Sequence, residues 1–168
     1  MRYAHGVSGE AQDHERALDL WREGYRQQMA GDLDAAIATY RRSLAVQPTA
    51  EAHTFLGWAM SFQGQLEEAI EECHRAIAVD PDFGNPYNDI GVYLMQQQKL
   101  EEAIPWLERA KHAPRYEPRQ FPYMNLGRIY MKQGRWSEAL RELQEGTRIA
   151  PRDAGVRRAL HELRGRLN

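Results

Sequence analysis

Residues 50–81 read AEAHTFLGWAMSFQGQLEEAIEECHRAIAVDP, and their apolar positions decide the fold. Phe55, Leu56, Ala59 and Phe62 recur at steps of three and four. Leu66, Ala69, Ile70, Cys73, Ala76 and Ile77 repeat the pattern after an interruption at Gly64. Each run draws one apolar stripe on an α-helix. Gly64 separates the runs and Asp80-Pro81 stops the second, because glycine tolerates the conformation that ends a helix and proline cannot continue one. The unit is a helical hairpin, and neither helix covers its own stripe, so something has to stack on it.

Its markers return elsewhere in the chain. Gly24, Gly57, Gly91 and Gly127 stand 33, 34 and 36 residues apart, and Ala36, Ala69, Ala103 and Ala139 follow at the same intervals. The turn recurs at Gly31-Asp-Leu, Gly64-Gln-Leu, Gln98-Lys-Leu and Gly134-Arg-Trp, and a closing proline at Pro48, Pro81, Pro114 and Pro151. The pairs Leu56-Gly57, Ile90-Gly91 and Leu126-Gly127, the small alanines of the second helices and the terminal Asp-Pro resemble the tetratricopeptide repeat. The resemblance covers about residues 10 to 151. It implies an all-α, right-handed α-solenoid of four helix-turn-helix repeats (10–49, 50–83, 84–119 and 120–151), after a polar lead (1–9) and before a C-terminal capping helix (152–168).

Composition bounds the alternatives. The 168 residues are 42% hydrophobic and 27% charged, the balance of a water-soluble chain, and a cytoplasmic location is expected. No apolar run is long enough for a signal peptide or a membrane span. The net charge of −2 hides an asymmetry: residues 1–108 hold 8 Lys and Arg against 18 Asp and Glu, residues 109–168 hold 14 against 6. Cys73, the single cysteine, has no internal disulfide partner and reads as a small buried hydrophobe.

Within this frame the opening residues are expected to be poorly ordered until about Ser8, and the first helix to run to about Ala30. One of its stripes (Ala17, Leu20, Gly24, Gln27) meets Ala36, Ile37, Tyr40 and Leu44 of a helix over 33–46; the other (Leu18, Trp21, Tyr25, Met29) is left over. Helices are expected over 85–97 and 100–111, with a bend at Pro105. The connection His112–Gln120, rich in proline, is expected to be extended and stiff. A last helix from about Asp153 places Val156, Leu160, Leu163 and Leu167 on a seam, with arginines elsewhere, as a solenoid end requires.

In the repeat family that the sequence resembles, the first helices of successive hairpins line a concave face. Carried onto this chain, that face presents Trp21, Tyr25 and Met29 in the first repeat, with Phe55, Trp58 and Phe62 in the second. Asn85, Asn88, Val92 and Met95 come from the third, and Met124, Asn125, Arg128, Met131 and Lys132 from the fourth. Aromatic and methionine side chains anchor partners through large adaptable contacts, and carboxamides offer a donor and an acceptor to a peptide backbone. The expected function is a non-enzymatic protein–protein interaction module, an adaptor or scaffold or a co-chaperone-like protein, whose groove takes an extended peptide or a helix of another protein. Family members that capture chaperone C-termini use a lysine and asparagines at positions held here by Trp21, Tyr25 and Phe55; only Asn125 resembles that clamp.

Catalysis and cofactors are not expected. His5, His14, His53, His74, His112 and His161 are scattered over different repeats with no pair at metal-ligand spacing on one helix, and no glycine-rich phosphate loop accompanies them. Glu67-Glu68, Glu71-Glu72 and Glu101-Glu102 stand near second-helix starts, where the helix dipole favours negative charge, and read as solvated faces. Nucleic acid, suggested by the basic rear, is opposed by the acidic front and the lack of any reading motif. Self-association through solenoid ends of opposite charge is the remaining alternative.

Overall fold

The structure is a computed structural model that describes residues 9–167; the expectation for the polar lead falls outside them. The described residues form two compact units, divided between Pro81 and Asp82. The first holds α1 (Gly9–Met29), α2 (Leu33–Val46), α3 (Ala50–Phe62) and α4 (Leu66–Val79). The second holds α5 (Asn85–Gln96), α6 (Leu100–His112), α7 (Phe121–Lys132), α8 (Trp136–Ile149) and α9 (Ala154–Leu167). Among the described residues there is no β-strand; the fold is all-α.

Starts and stops follow local chemistry. Asp32 and Thr49 cap α2 and α3 by accepting from the backbone N–H of Ala35 at 3.1 Å and Ala52 at 3.2 Å, which satisfies donors the helix leaves open. Pro86 and Pro122 sit in the first turns of α5 and α7, where a missing N–H costs nothing. The turn within each hairpin needs one left-handed residue. Gly31, Gly64 and Gly134 supply it with φ of 87°, 78° and 71°, and Gln98 supplies it in the third hairpin with φ of 63°. A side chain there is strained, so Gln98→Gly is expected to raise stability in urea denaturation by about 0.5–1 kcal/mol.

In the first unit α1 packs on α2 and α3 on α4, while α3 also touches α1 and α2. Ala17, Ala36, Ala52, Ala59, Ala69 and Ala76 are fully or almost fully buried, small side chains that let the helices approach. Gly24 and Gly57 allow still closer contact: a Cβ on Gly57 would lie 2.9 Å from the Ala69 carbonyl oxygen. Tyr40 and Cys73 are fully buried, and the Ser43 hydroxyl donates to the Ala17 carbonyl at 2.6 Å.

In the second unit the hairpins α5–α6 and α7–α8 pack through Gly91 against Leu107 and Gly127 against Leu143. α6 continues through Pro105, which is exposed, to His112. The connection after it is more than an extended spacer. The Gly84 N–H donates to the Arg115 carbonyl at 2.9 Å and the Arg115 N–H to the Asp82 carbonyl at 3.0 Å, a short parallel bridge. Tyr116 is 4% exposed beside Gly84, and the Glu117–Pro118 peptide is cis. α9 is capped by Asp153, which accepts from the Val156 N–H at 2.9 Å, and packs on α7 and α8. Val156, Leu160 and Leu163 are buried as expected, but Leu167 is 49% exposed and Ala159 takes a place on the seam. The fourth seam position lies at the end of the helix, beyond the surface it covers.

Candidate partner-binding faces

The aromatic residues of the first unit are brought together by the contact of α1 with α3. Phe55 is the hub. Trp21, Tyr25 and Trp58 meet it edge to face, with ring centroids at 5.4, 5.5 and 5.7 Å, and Phe62 continues the row from Trp58 at 5.6 Å. Edge-to-face contact sets the positive rim of one ring against the negative face of another. The row therefore holds its own shape without a partner. It is not sealed: Tyr25 is 41%, Met29 53% and Phe62 61% exposed, and Trp21, Phe55 and Trp58 are half-buried beneath them. Arg22, beside this face, is already held by Glu15 and Asp19 at 3.3 and 2.8 Å.

The corresponding face of the second unit is polar. α5, α7 and α9 lie in contact in that order. The Asn125 side-chain N–H donates to the Asn88 carbonyl oxygen at 3.0 Å, and both residues are buried. Their amides are thus committed to each other. Met131 is buried, Asn85, Val92, Met95 and Met124 are half-buried, and Arg128 and Lys132 are exposed. Asp89, partly buried next to Asn88, has its carboxyl pushed up to about 7 by burial, which the Asn88 amide at 3.4 Å opposes.

Two polar clusters on the second helices went unread in the sequence. Glu72, expected on a solvated face, is only 5% exposed. It turns inward at the α3–α4 contact, where its Cβ lies 3.4 Å from a Cβ built on Gly57. His53 Nδ1 lies 2.6 Å from its carboxylate and Arg75 bonds its other oxygen. Burial works against the Glu72 charge, but the bond from His53 and the charges of His53 and Arg75 hold its carboxyl below the usual range. These groups line a cleft of about 400 Å³ with Arg41, Leu44 and Glu68. In the second unit Lys111 is clamped by Glu108 and Glu142 at 3.1 and 3.0 Å, over the Tyr123 ring at 4.7 Å. An ammonium bound by two carboxylates and a ring is a fastener between α6, α7 and α8. Among the described residues no three His, Cys, Asp or Glu side chains are placed to hold a metal ion, and no helix is long and apolar enough to cross a membrane.

Comparison with known proteins agrees with this architecture. Residues 50–83 and residues 94–163 each match a tetratricopeptide repeat family. Type IV pilus assembly protein PilF of Pseudomonas aeruginosa is 29% identical over 129 residues, 75% of this chain and 50% of PilF. Small glutamine-rich tetratricopeptide repeat-containing protein 2 of Mycosarcoma maydis is 30% identical over 95 residues, 55% of this chain and 27% of that protein. The chain therefore spans half or less of the length of these relatives. Among solved structures, Pseudomonas aeruginosa PilF superposes with a TM-score of 0.82 at 24% identity, covering 89% of this chain and 68% of that one. TTC0263, a tetratricopeptide protein of Thermus thermophilus, gives 0.75 at 23%, covering 90% and 83%. At these identities the likeness to the solved chains shows the fold, an α-solenoid of such hairpins. With matched repeats over more than half of its residues and the same hairpins in its structure, the chain belongs to the tetratricopeptide-repeat family.

Proposed function

We propose that the chain is a non-enzymatic adaptor whose leading helices receive an apolar segment, extended or helical, of another protein, built on four repeats over residues 10–151 with residues 152–168 as cap. The observation that carries this is the aromatic row of the first unit. Tyr25, Met29 and Phe62 stay exposed over half-buried Trp21, Phe55 and Trp58, although the core of α1–α4 is already closed by alanine, leucine and Tyr40 on the other faces. Rings fixed in advance lose little entropy when a partner covers them, which is why such residues dominate binding energy. In the second unit Met95 and Met124 offer adaptable contacts, and the Asn88–Asn125 pair sets the polar floor beside them.

The test is affinity capture with mass spectrometry, comparing the intact chain with Trp58→Ala/Phe62→Ala and with Met95→Ala/Met124→Ala. Truncating central aromatic anchors costs about 2 kcal/mol or more, a roughly thirtyfold loss. The first variant is therefore expected to lose its partner while keeping the helical circular dichroism of the parent. Undiminished capture by both variants would remove the proposal.

A further inference from the structure

The second unit carries positive charge that its own carboxylates do not answer. Residues 121–167 contain ten Lys and Arg against five Asp and Glu. All five carboxylates are engaged: Glu138 by Arg135, Glu142 by Lys111, Glu145 by Arg148 and Glu162 by Arg166. Asp153 is held by the α9 cap and by Gln120. Arg128 and Lys132 on α7, and Arg157, Arg158 and Arg164 on α9, are exposed and have no carboxylate partner among the described residues. α7 and α9 pack on each other. Arg128 and Lys132 stand one turn apart, and Arg157 and Arg164 share one side of α9.

A solvated end cap accounts for polarity but not for a single sign. Glu162–Arg166, at 2.9 Å, shows how the same helix covers its surface with paired charges. Arg22, Arg75 and Arg148 do likewise on other helices, and Arg135 does so just before α8. Five unanswered cations repel one another, which a cap has no need to tolerate. Such a surplus is a footprint for something anionic.

The size and setting of the patch select the occupant. Arg157 and Arg164 are about 10 Å apart along the helix, a span that an extended chain covers in about three residues. A long polyanion or a charged bilayer also meets the rest of the same unit, where residues 82–120 hold 5 Lys and Arg against 6 Asp and Glu. A short segment stays within the screening length of about 8–10 Å. α9 has no Phe, Tyr or Trp on which a base could stack, the usual means of holding a single strand.

We propose that this basic surface of α7 and α9 binds an acidic segment of a partner protein, with Arg128, Lys132, Arg157, Arg158 and Arg164 pairing with its carboxylates. It rests on and deepens the protein-binding reading above, at the basic part of the second unit's leading-helix face, and is testable apart from the aromatic face of the first unit.

The probe is a labelled peptide of about 12 residues with Glu at every third position, followed by fluorescence anisotropy on the full chain at about 50 and about 150 mM salt. A Gln-for-Glu peptide, phosphatidylserine vesicles and an oligonucleotide of about 20 residues are the comparisons. The acidic peptide is expected to bind roughly tenfold more tightly than the amide peptide, and less tightly at the higher salt. Arg157→Gln/Arg158→Gln/Arg164→Gln and Arg128→Gln/Lys132→Gln should each weaken it by roughly fivefold. The Arg→Lys versions of the α9 set, Arg41→Gln/Arg42→Gln in the first unit and Trp58→Ala should leave it within about twofold. Equal binding of the two peptides, unchanged binding by both sets of Gln substitutions, or tighter binding of vesicles or oligonucleotide overturns the proposal. So does a dimer in sedimentation velocity that these substitutions disperse, because the acidic surface would then be that of a second copy.

Discussion

Leu143→Ala is expected to lower stability in urea denaturation by about 2–5 kcal/mol, the range for deleting a fully buried leucine. Leu143 has no exposed surface and fills the hollow that α7 leaves at Gly127, where a Cβ would lie 2.6 Å from both its Cγ and Cδ2. The two residues are complementary, a missing side chain facing a large one. Gly127→Ala alone should therefore also destabilise, by about 1–3 kcal/mol of overpacking, offset in part by the better helix propensity of alanine. The informative variant carries both changes. The new methyl group then occupies space that the leucine has vacated, and the double substitution should cost about 1–2 kcal/mol less than the two single effects added together. Strict additivity would show that the close approach of α7 to α8 does not depend on this pair.

The second large effect concerns Asp89. Its carboxyl ordinarily titrates near 3.8 and is pushed up to about 7, chiefly by burial, with the Asn88 amide acting in the opposite sense. A folded value above the unfolded one means that folding favours the protonated form. The contribution is present below pH 4, is lost as pH rises from about 4 to about 7, and stays lost above. Three pH units correspond to roughly 4 kcal/mol at most, and on the order of 2–4 kcal/mol is expected. Asp89→Asn removes the charge and keeps the shape, so it should raise the melting temperature at pH 8 and change it little at pH 4. The nearby Tyr116 hydroxyl, held protonated by its own burial and then by the Asp89 charge, will not titrate in that window. A variant melting like the parent at pH 8 would mean that water reaches the carboxylate freely.

Much of the fold was legible because each helix is written twice, once in apolar spacing and once in its punctuation. α2 ends where the pattern does, α5 stops one residue early at Gln96, and α6 runs one residue further to His112. What escaped depends on neighbours distant in sequence. Glu72 reads as solvated because it follows Glu71, which is indeed exposed. Its burial becomes legible only when the repeats are superposed: at the same step stand Thr39, Trp106 and Glu142, and all four are buried or half-buried. Pro81 looks no different from Pro48 or Pro151, so nothing in the sequence marks the division of the chain into two units at that point. On the candidate faces, the identity of the residues followed from position within the repeat. The burial of Asn88, Asn125 and Met131 did not, since it is settled by the adjoining helix rather than by spacing. Lys111 and Glu142, far apart in the chain, left no mark in the charge pattern from which their bond could be inferred.

The bridge between residues 82–84 and 115 has a kinetic consequence. By joining the segment entering α5 to the segment leaving α6, it turns the third hairpin into a closed lasso whose mouth is tied by backbone bonds. Either end can fray only after that knot is undone. The amide protons of Gly84 and Arg115, though in connecting segments, should exchange with solvent as slowly as those in the middle of the helices they tether.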